Sequence, residues 1–314
     1  MTKLTPPIDP TAALPDIVQV KPKICTVSHA GLALNYLVWG DMAKPAILLL
    51  HGGKDHCRNW DWTVAGLIDD YCCITPDLRG HGQSSWPVGV GYDTPLLVAD
   101  LAAVIEDLAK TGFSKPLHLI GHSLGGIIVL NYAAIRPDRV ASVIAMEGLG
   151  ASPATHKTHL ETPPAKRLGR YVEKLLKHGQ GAARFYQTPE EMVVRMASAY
   201  PNLSDERVRH LSLHGARHYS QGWRWKYDLM MAFVHPVWMT SPDDYGKLFA
   251  AITAPTLLMR GADSWASDPR EDGRIKPFQR AEFITLPKAG HWLHHDQFDL
   301  FLEAVTKFVG GAKP

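Results

Sequence analysis

Three side chains, far apart in the chain, have the types needed to cleave an acyl bond together. The first is Ser123, within Gly121-His122-Ser123-Leu124-Gly125-Gly126. An apolar run at Leu117–Ile120 precedes it, and an apolar helical stretch begins near Leu124. Small residues two before and two after a serine permit a tight strand-to-helix turn that pushes the hydroxyl out above a sheet. A serine that merely caps a helix does not require both glycines, so the pattern points to a nucleophile. A serine hydroxyl is weak until an adjacent base takes its proton. Of 16 histidines, His291 stands out, because Pro287-Lys288-Ala289-Gly290 links it to the apolar run Phe283–Leu286 and a helical pattern follows. That context puts its imidazole at the same strand ends as Ser123. His294 and His295 lie nearer the helix start. The His-x-x-His-His run lacks carboxylate partners, so no metal is expected.

A base of this kind is oriented by an acid on its far side. Asp263, in Arg260-Gly261-Ala262-Asp263, follows the run Thr256–Met259, and its glycine-flanked turn suits an acid at a strand end. It is the preferred orienting group. Glu147, at the end of Val140–Met146, is the alternative acid. The negative charge of a tetrahedral intermediate needs two donors. The N–H of Leu124, directly after the nucleophile, supplies one. The N–H of Gly53, in His51-Gly52-Gly53-Lys54 after the run Ala46–Leu50, supplies the other. Glycines there let the backbone approach a substrate closely. Neither the P-loop nor the Rossmann glycine spacing is present, which argues against a phosphate cradle and against a nucleotide cofactor.

These residues must be positioned by a sheet. Short continuous apolar runs at Ala46–Leu50, Tyr71–Thr75, Leu117–Ile120, Val140–Met146, Thr256–Met259 and Phe283–Leu286 suit strands buried on both faces of a parallel sheet. Helical spacing links Leu97, Leu101, Val104, Ile105 and Leu108, with Thr94 and Pro95 at the start. The last helix repeats that spacing at Phe298, Phe301, Leu302, Val305 and Phe308. Alternating units of this kind predict an α/β fold, a mainly parallel sheet with helices on both faces. The stretch 151–245 breaks the rhythm: it shows amphipathic helical patterns and no clear strand, and predicts an inserted all-helical cap over the strand ends. The expected division is an N-terminal arm at 1–22, core at 23–150, cap at 151–245 and core again at 246–314.

Composition narrows the function. Among 314 residues, 33 Lys+Arg against 31 Asp+Glu give a net charge of +2, too balanced for a nucleic-acid or polybasic membrane binder. Cys25, Cys57, Cys72 and Cys73 are too few and too irregular for a disulfide scaffold. No stretch has the roughly 18 apolar residues of a membrane span, and Met1–Gln19 lacks the pattern of a secretory leader. A cytoplasmic location, a monomer or homodimer and a small-molecule substrate are expected. The cap carries 13 Lys+Arg against 9 Asp+Glu, which could steer acidic substrates. Lys54, His122, Trp223, Trp225 and Trp292 are candidate substrate-binding residues, with Met230, Met231 and Phe233 as further candidates for the pocket wall.

At these residues the sequence resembles the α/β-hydrolase superfamily, from about Lys23 to Phe308. The oxyanion loop matches His51-Gly52-Gly53, and the Asp-x-Arg-Gly-His-Gly-x-Ser turn matches Asp77–Ser84. The nucleophile elbow matches Gly121–Gly125, the acid turn Gly261–Asp263 and the base Gly290-His291, in the family's order of serine, acid and histidine. Within the superfamily the chain looks like the capped branch of epoxide hydrolases, haloalkane dehalogenases, carbon–carbon bond hydrolases and serine hydrolase-like proteins. The first two use an aspartate nucleophile, whereas position 123 is serine. The resemblance therefore implies hydrolysis of an ester, lactone or thioester through an acyl-enzyme, with no cofactor. The alternatives are carbon–carbon bond hydrolysis of diketone-type aromatic breakdown products, or a small-molecule receptor built on the hydrolase fold.

Overall fold

A computed structural model of the chain describes residues 17–88, 91–113, 115–179, 184–233 and 242–312. The core begins with β1 (Lys23–His29), β2 (Leu32–Trp39) and β3 (Ala46–Leu50), followed by α1 (Asp61–Leu67), β4 (Cys72–Pro76) and α2 (Thr94–Lys110). Then come β5 (Leu117–His122), α3 (Leu124–Ile135) and β6 (Val140–Met146). The inserted segment contains α4 (Pro153–Glu161), α5 (Pro164–Gly179), α6 (Pro189–Ala199), α7 (Asp205–His214), β7 (Ala216–Tyr219) and β8 (Gly222–Trp225). The chain returns through α8 (Pro242–Ala250), β9 (Thr256–Gly261), β10 (Ala281–Leu286), α9 (Leu293–Asp296) and α10 (Phe298–Gly311).

Eight strands form one sheet in the order β1-β2-β4-β3-β5-β6-β9-β10. The β1/β2 and β2/β4 pairs are antiparallel and the remainder are parallel. All five residues of β3 are buried, which explains why its sequence is apolar without alternation. Its residues nonetheless serve two cores. Leu48 and Leu50 face a cluster that includes Val104 and Leu108 of α2 and Ile128 of α3. Ile47 and Leu49 face the other side, with Val64 of α1 and Phe301 and Val305 of α10. Sandwiched this way, β3, β5 and β6 are a rigid floor, and the loops at their carboxyl ends inherit fixed positions. No helix among the described residues is long and apolar enough to cross a membrane.

The cap is not all-helical. Its helices start where the sequence supplies a cap: Ser152 Oγ accepts the N–H of Thr155, Thr188 Oγ1 that of Glu191, and Ser204 Oγ that of Arg207. After α7, however, β7 and β8 pair as a hairpin around Ser220-Gln221. Gly222 sits there at φ +126°, and a Cβ on it would stand 2.5 Å from the Tyr186 carbonyl oxygen. Strands of four residues are too short to show a clear alternation, so no strand signal is visible in the residues. The hairpin also ties cap to core, because Lys226 O accepts the N–H of Gly82 and Gly80 O accepts that of Asp228.

Candidate active site

Ser123 occupies the turn between β5 and α3 with φ +52° and ψ −114°, a left-handed conformation that a non-glycine residue holds only when its surroundings enforce it. Two glycines make the turn possible. A Cβ on Gly121 would meet the Gly125 carbonyl oxygen at 2.4 Å, and one on Gly125 would meet that of Leu50 at 2.2 Å. The Ser123 N–H donates to Met146 O at 2.8 Å, locking the elbow onto β6. Ser123 is partly exposed and lines a cavity of about 650 Å³ together with Gly53 and Leu124. Ser123 and both expected oxyanion donors therefore share one chamber, with Leu124 as the first residue of α3.

The sequence offered two acids, and the structure brings one of them to His291. Glu147 ends β6 at φ +53°, and that turn folds its side chain back between β9 and the loop carrying His291. One carboxylate oxygen accepts the Gly261 N–H at 2.8 Å and the other accepts the Ser264 hydroxyl at 2.8 Å. The second oxygen also stands 3.6 Å from His291 Nδ1, and the Glu147 carboxylate is fully buried. Asp263 is exposed. Its backbone N–H is held by Ala289 O, but its carboxylate makes no hydrogen bond to a described residue. Gly261 has another use here: a Cβ on it would lie 2.3 Å from the carbonyl oxygens of both Ala289 and Gly290. It allows the base loop to pack against β9.

His291 is one-fifth exposed and its ring lies between those of Trp265 and His122, each at 4.9 Å between centroids. His122 does not line the cavity. It is buried, and its Nε2–H donates to the His291 backbone carbonyl at 2.8 Å. Burial, followed by the nearby His291, pushes the His122 pKa down to about 3, so it is neutral. It positions the loop that carries His291. Lys54 lines the chamber as expected, at φ +63°. Trp223, in contrast, is buried in a small cap cluster with Tyr186, Met192 and Ala216, and Trp225 packs on that cluster. Trp292 stacks on Tyr200 at 4.2 Å. None of these three tryptophans lines the cavity. Met231 does, whereas Met230 packs against the core and the side chain of Phe233 lies outside the described residues.

Other wall residues gave no sequence signal: Arg260 stands on β9, and Trp265 and Arg274 enter from the segment after it. No cap arginine or lysine among the described residues lines the chamber.

The frame around the site is polar and buried. His51 is neutral, with its pKa pushed down to about 4 by burial. Its Nδ1–H donates to Gly52 O at 2.7 Å while Nε2 accepts the Leu78 N–H at 3.1 Å. Asp77 holds the same region: it accepts the N–H groups of Cys57 and Gln83 and the side-chain amide of Asn35. Arg79 and Asp100 form a buried two-pronged pair at 2.5 and 2.7 Å. Asn59 joins the oxyanion side to the base side, accepting from His294 Nε2 at 2.8 Å and His295 Nε2 at 3.1 Å while donating to Asp55 at 2.6 Å. These two histidines hold loops together through an amide.

The profile of the alpha/beta hydrolase fold family matches residues 45–298. The esterase Rv0045c of Mycobacterium tuberculosis is 28% identical over 281 residues, covering 87% of this chain and 85% of that protein. The sn-1-specific diacylglycerol lipase ABHD11 of Mus musculus is 27% identical over 284 residues, covering 88% and 85%. Among solved structures, the thioesterase domain from the curacin biosynthetic pathway superimposes with a TM-score of 0.78 at 24% identity, covering 90% of this chain and 99% of that domain.

Proposed function

The chain belongs to the α/β-hydrolase family and is a hydrolase of it, and from that premise we propose that it cleaves carboxylic esters, or related lactones and thioesters, through an acyl-enzyme on Ser123. The observation that carries this reading is the strained Ser123 elbow opening into the same chamber as Gly53 and Leu124. Ser123 Oγ attacks the substrate carbonyl carbon, and its proton passes to the His291 imidazole. The N–H groups of Gly53 and Leu124 hold the oxyanion, a type of contact worth about 2.7–4 kcal/mol per donor. The imidazolium returns the proton to the departing alkoxide. Water then attacks the acyl carbon with His291 again as base, and the acid leaves.

In this reading the positioning acid is Glu147 rather than Asp263, supported by its 3.6 Å approach to His291 Nδ1. Ser123 and His291 make no hydrogen bond to each other among the described residues, and such bonds often tighten only when substrate binds. A panel of p-nitrophenyl esters tests the proposal: turnover should vanish in Ser123→Ala, and persistent turnover in that variant would defeat it. One observation favours a second reading, a substrate carrying a carboxylate, as in carbon–carbon bond hydrolysis of diketone acids. Arg260 lines the chamber, and among the described residues its guanidinium hydrogen-bonds to the carbonyls of Ser264 and Ala266 and to no carboxylate. Comparing succinate-type half-esters and diketone acids with neutral esters separates the two.

A further inference from the structure

Away from the chamber, the seam between cap and core holds a group of side chains that the hydrolytic reaction does not use. His210 and His214 stand four residues apart on α7 and so share one helix face. That face is turned to the core, where Asp61 opens α1. All three residues are buried, and one donor atom from each lies within 4.8 Å of the others. His210 Nε2 is 3.0 Å from Asp61 Oδ2, yet without the alignment that a hydrogen bond needs. Both ring nitrogens of His210, in a side chain only 2% exposed, are without a hydrogen-bond partner among the described residues. The His214 ring likewise makes no hydrogen bond to a described residue, and its centroid lies 4.4 Å from that of His210. Buried polar atoms in folded proteins are paired with few exceptions. Unpaired imidazole nitrogens converging on a carboxylate call for an electrophile between them.

We propose that Asp61, His210 and His214 form a site for a divalent first-row transition metal, such as Zn²⁺ or Cu²⁺, that fastens α7 of the cap onto α1 of the core. Two imidazoles and one carboxylate are the donor set these ions take, at about 2.0–2.2 Å, leaving one tetrahedral position for water. Tetrahedral donors at that radius are about 3.4 Å apart, so occupancy asks the three side chains to close by about an ångström.

The opposing feature is Arg58. Its Nε donates to both carboxylate oxygens of Asp61, at 2.9 and 2.7 Å, and its Nη2 stands 2.6 Å from Oδ2. The guanidinium therefore holds the oxygen that the metal would take. Because the Arg58 side chain is about a quarter exposed, it can swing outward while the Asp61 carboxylate stays buried. Arg58 thus acts as a competitor that sets the affinity of the site.

The test uses the full chain without a polyhistidine tag, titrated with ZnCl₂ in a calorimeter and melted with and without Zn²⁺. One ion per chain and a raised Tm are expected. His210→Gln and His214→Gln should each weaken binding by more than the 10- to 100-fold typical of losing an outer-shell partner. Arg58→Gln should tighten it at least tenfold. No binding, or binding unchanged in all three variants, overturns the proposal. Should the histidine variants fail to fold, the electron paramagnetic resonance of Cu²⁺ added to the unaltered chain decides: hyperfine structure from two imidazole nitrogens is expected, and its absence overturns the site.

Discussion

Replacing Glu147 by Gln removes a charge while keeping the shape, and it separates the two acids cleanly. The Glu147 carboxylate lies 3.6 Å from His291 Nδ1 and is fully buried. At an effective dielectric near 20, a unit charge pair at that distance is worth about 4.6 kcal/mol. The carboxylate meets a positive imidazole only after His291 has taken the serine proton, so most of this interaction is lost from the transition state. The expected fall in kcat is about 10³-fold, rising toward about 10⁴-fold if the new amide forces the wrong imidazole tautomer. KM should change by less than about threefold, because the buried side chain offers no surface to substrate. The fold should survive, since a glutamine oxygen can still accept the Gly261 N–H that Glu147 now accepts at 2.8 Å. Asp263→Asn, on an exposed side chain, should leave kcat/KM within about threefold. Steady-state kinetics on p-nitrophenyl butyrate, with melting curves as a check on folding, would decide. A loss of 100-fold or more in Asp263→Asn, with Glu147→Gln within tenfold of the parent, would refute the reasoning.

Other perturbations test the frame. Gly125→Ala places a Cβ 2.2 Å from a β3 carbonyl oxygen, and the forced backbone shift should cost about 1–3 kcal/mol in urea unfolding and abolish turnover. Arg79→Ala leaves the buried carboxylate of Asp100 without its two-pronged partner, and should cost about 3–5 kcal/mol, read as a lowered urea midpoint. Stability should also fall on acidification. His51, His81 and His122 are held near 4, 3 and 3 by burial, below the ordinary value of about 6.5. The unfolded chain therefore takes up protons that the native state refuses. Stability is fully present above pH 6.5 and declines as pH falls toward 4, by at most about 2 kcal/mol per histidine at pH 5. Urea midpoints at pH 7.5, 6 and 5 should descend in that order, and a flat series would show that these imidazoles are not held neutral by burial.

The sheet was legible because continuous apolar runs ending in His-Gly, Pro-Asp or Gly-x-Ser can belong to little except strands buried on both sides. Ala46–Leu50 and Val140–Met146 are strands with those same limits. The elbow was legible for a related reason: its two glycines are demanded by carbonyl oxygens that would stand 2.2–2.4 Å from any Cβ there. Which carboxylate approaches His291 was harder to read. Whether a carboxylate at a strand end reaches a histidine depends on the local φ, and nothing in Met146-Glu147-Gly148 announces a left-handed residue at 147. The glycine beside Asp263 looked like an active-site turn, yet Gly261 serves the packing of the base loop. The cap was read as helical from its amphipathic patterns, while Trp223-Arg224-Trp225-Lys226-Tyr227 concealed a strand too short to alternate visibly. Its aromatic rings pack with one another across the cap, so hydrophobic density there marked a small core and not a pocket wall. Trp265 gave no periodic signal because it stands on a loop, 81% exposed beside the base.

The central claim is that Ser123 is a nucleophile activated by His291. Treating the protein with a fluorophosphonate and mapping the adduct by mass spectrometry tests it most directly. One adduct per chain is expected, on Ser123, formed rapidly in the parent protein and at least 100-fold more slowly in His291→Ala. An adduct on another residue, or labelling of Ser123 at the same rate without His291, would contradict it.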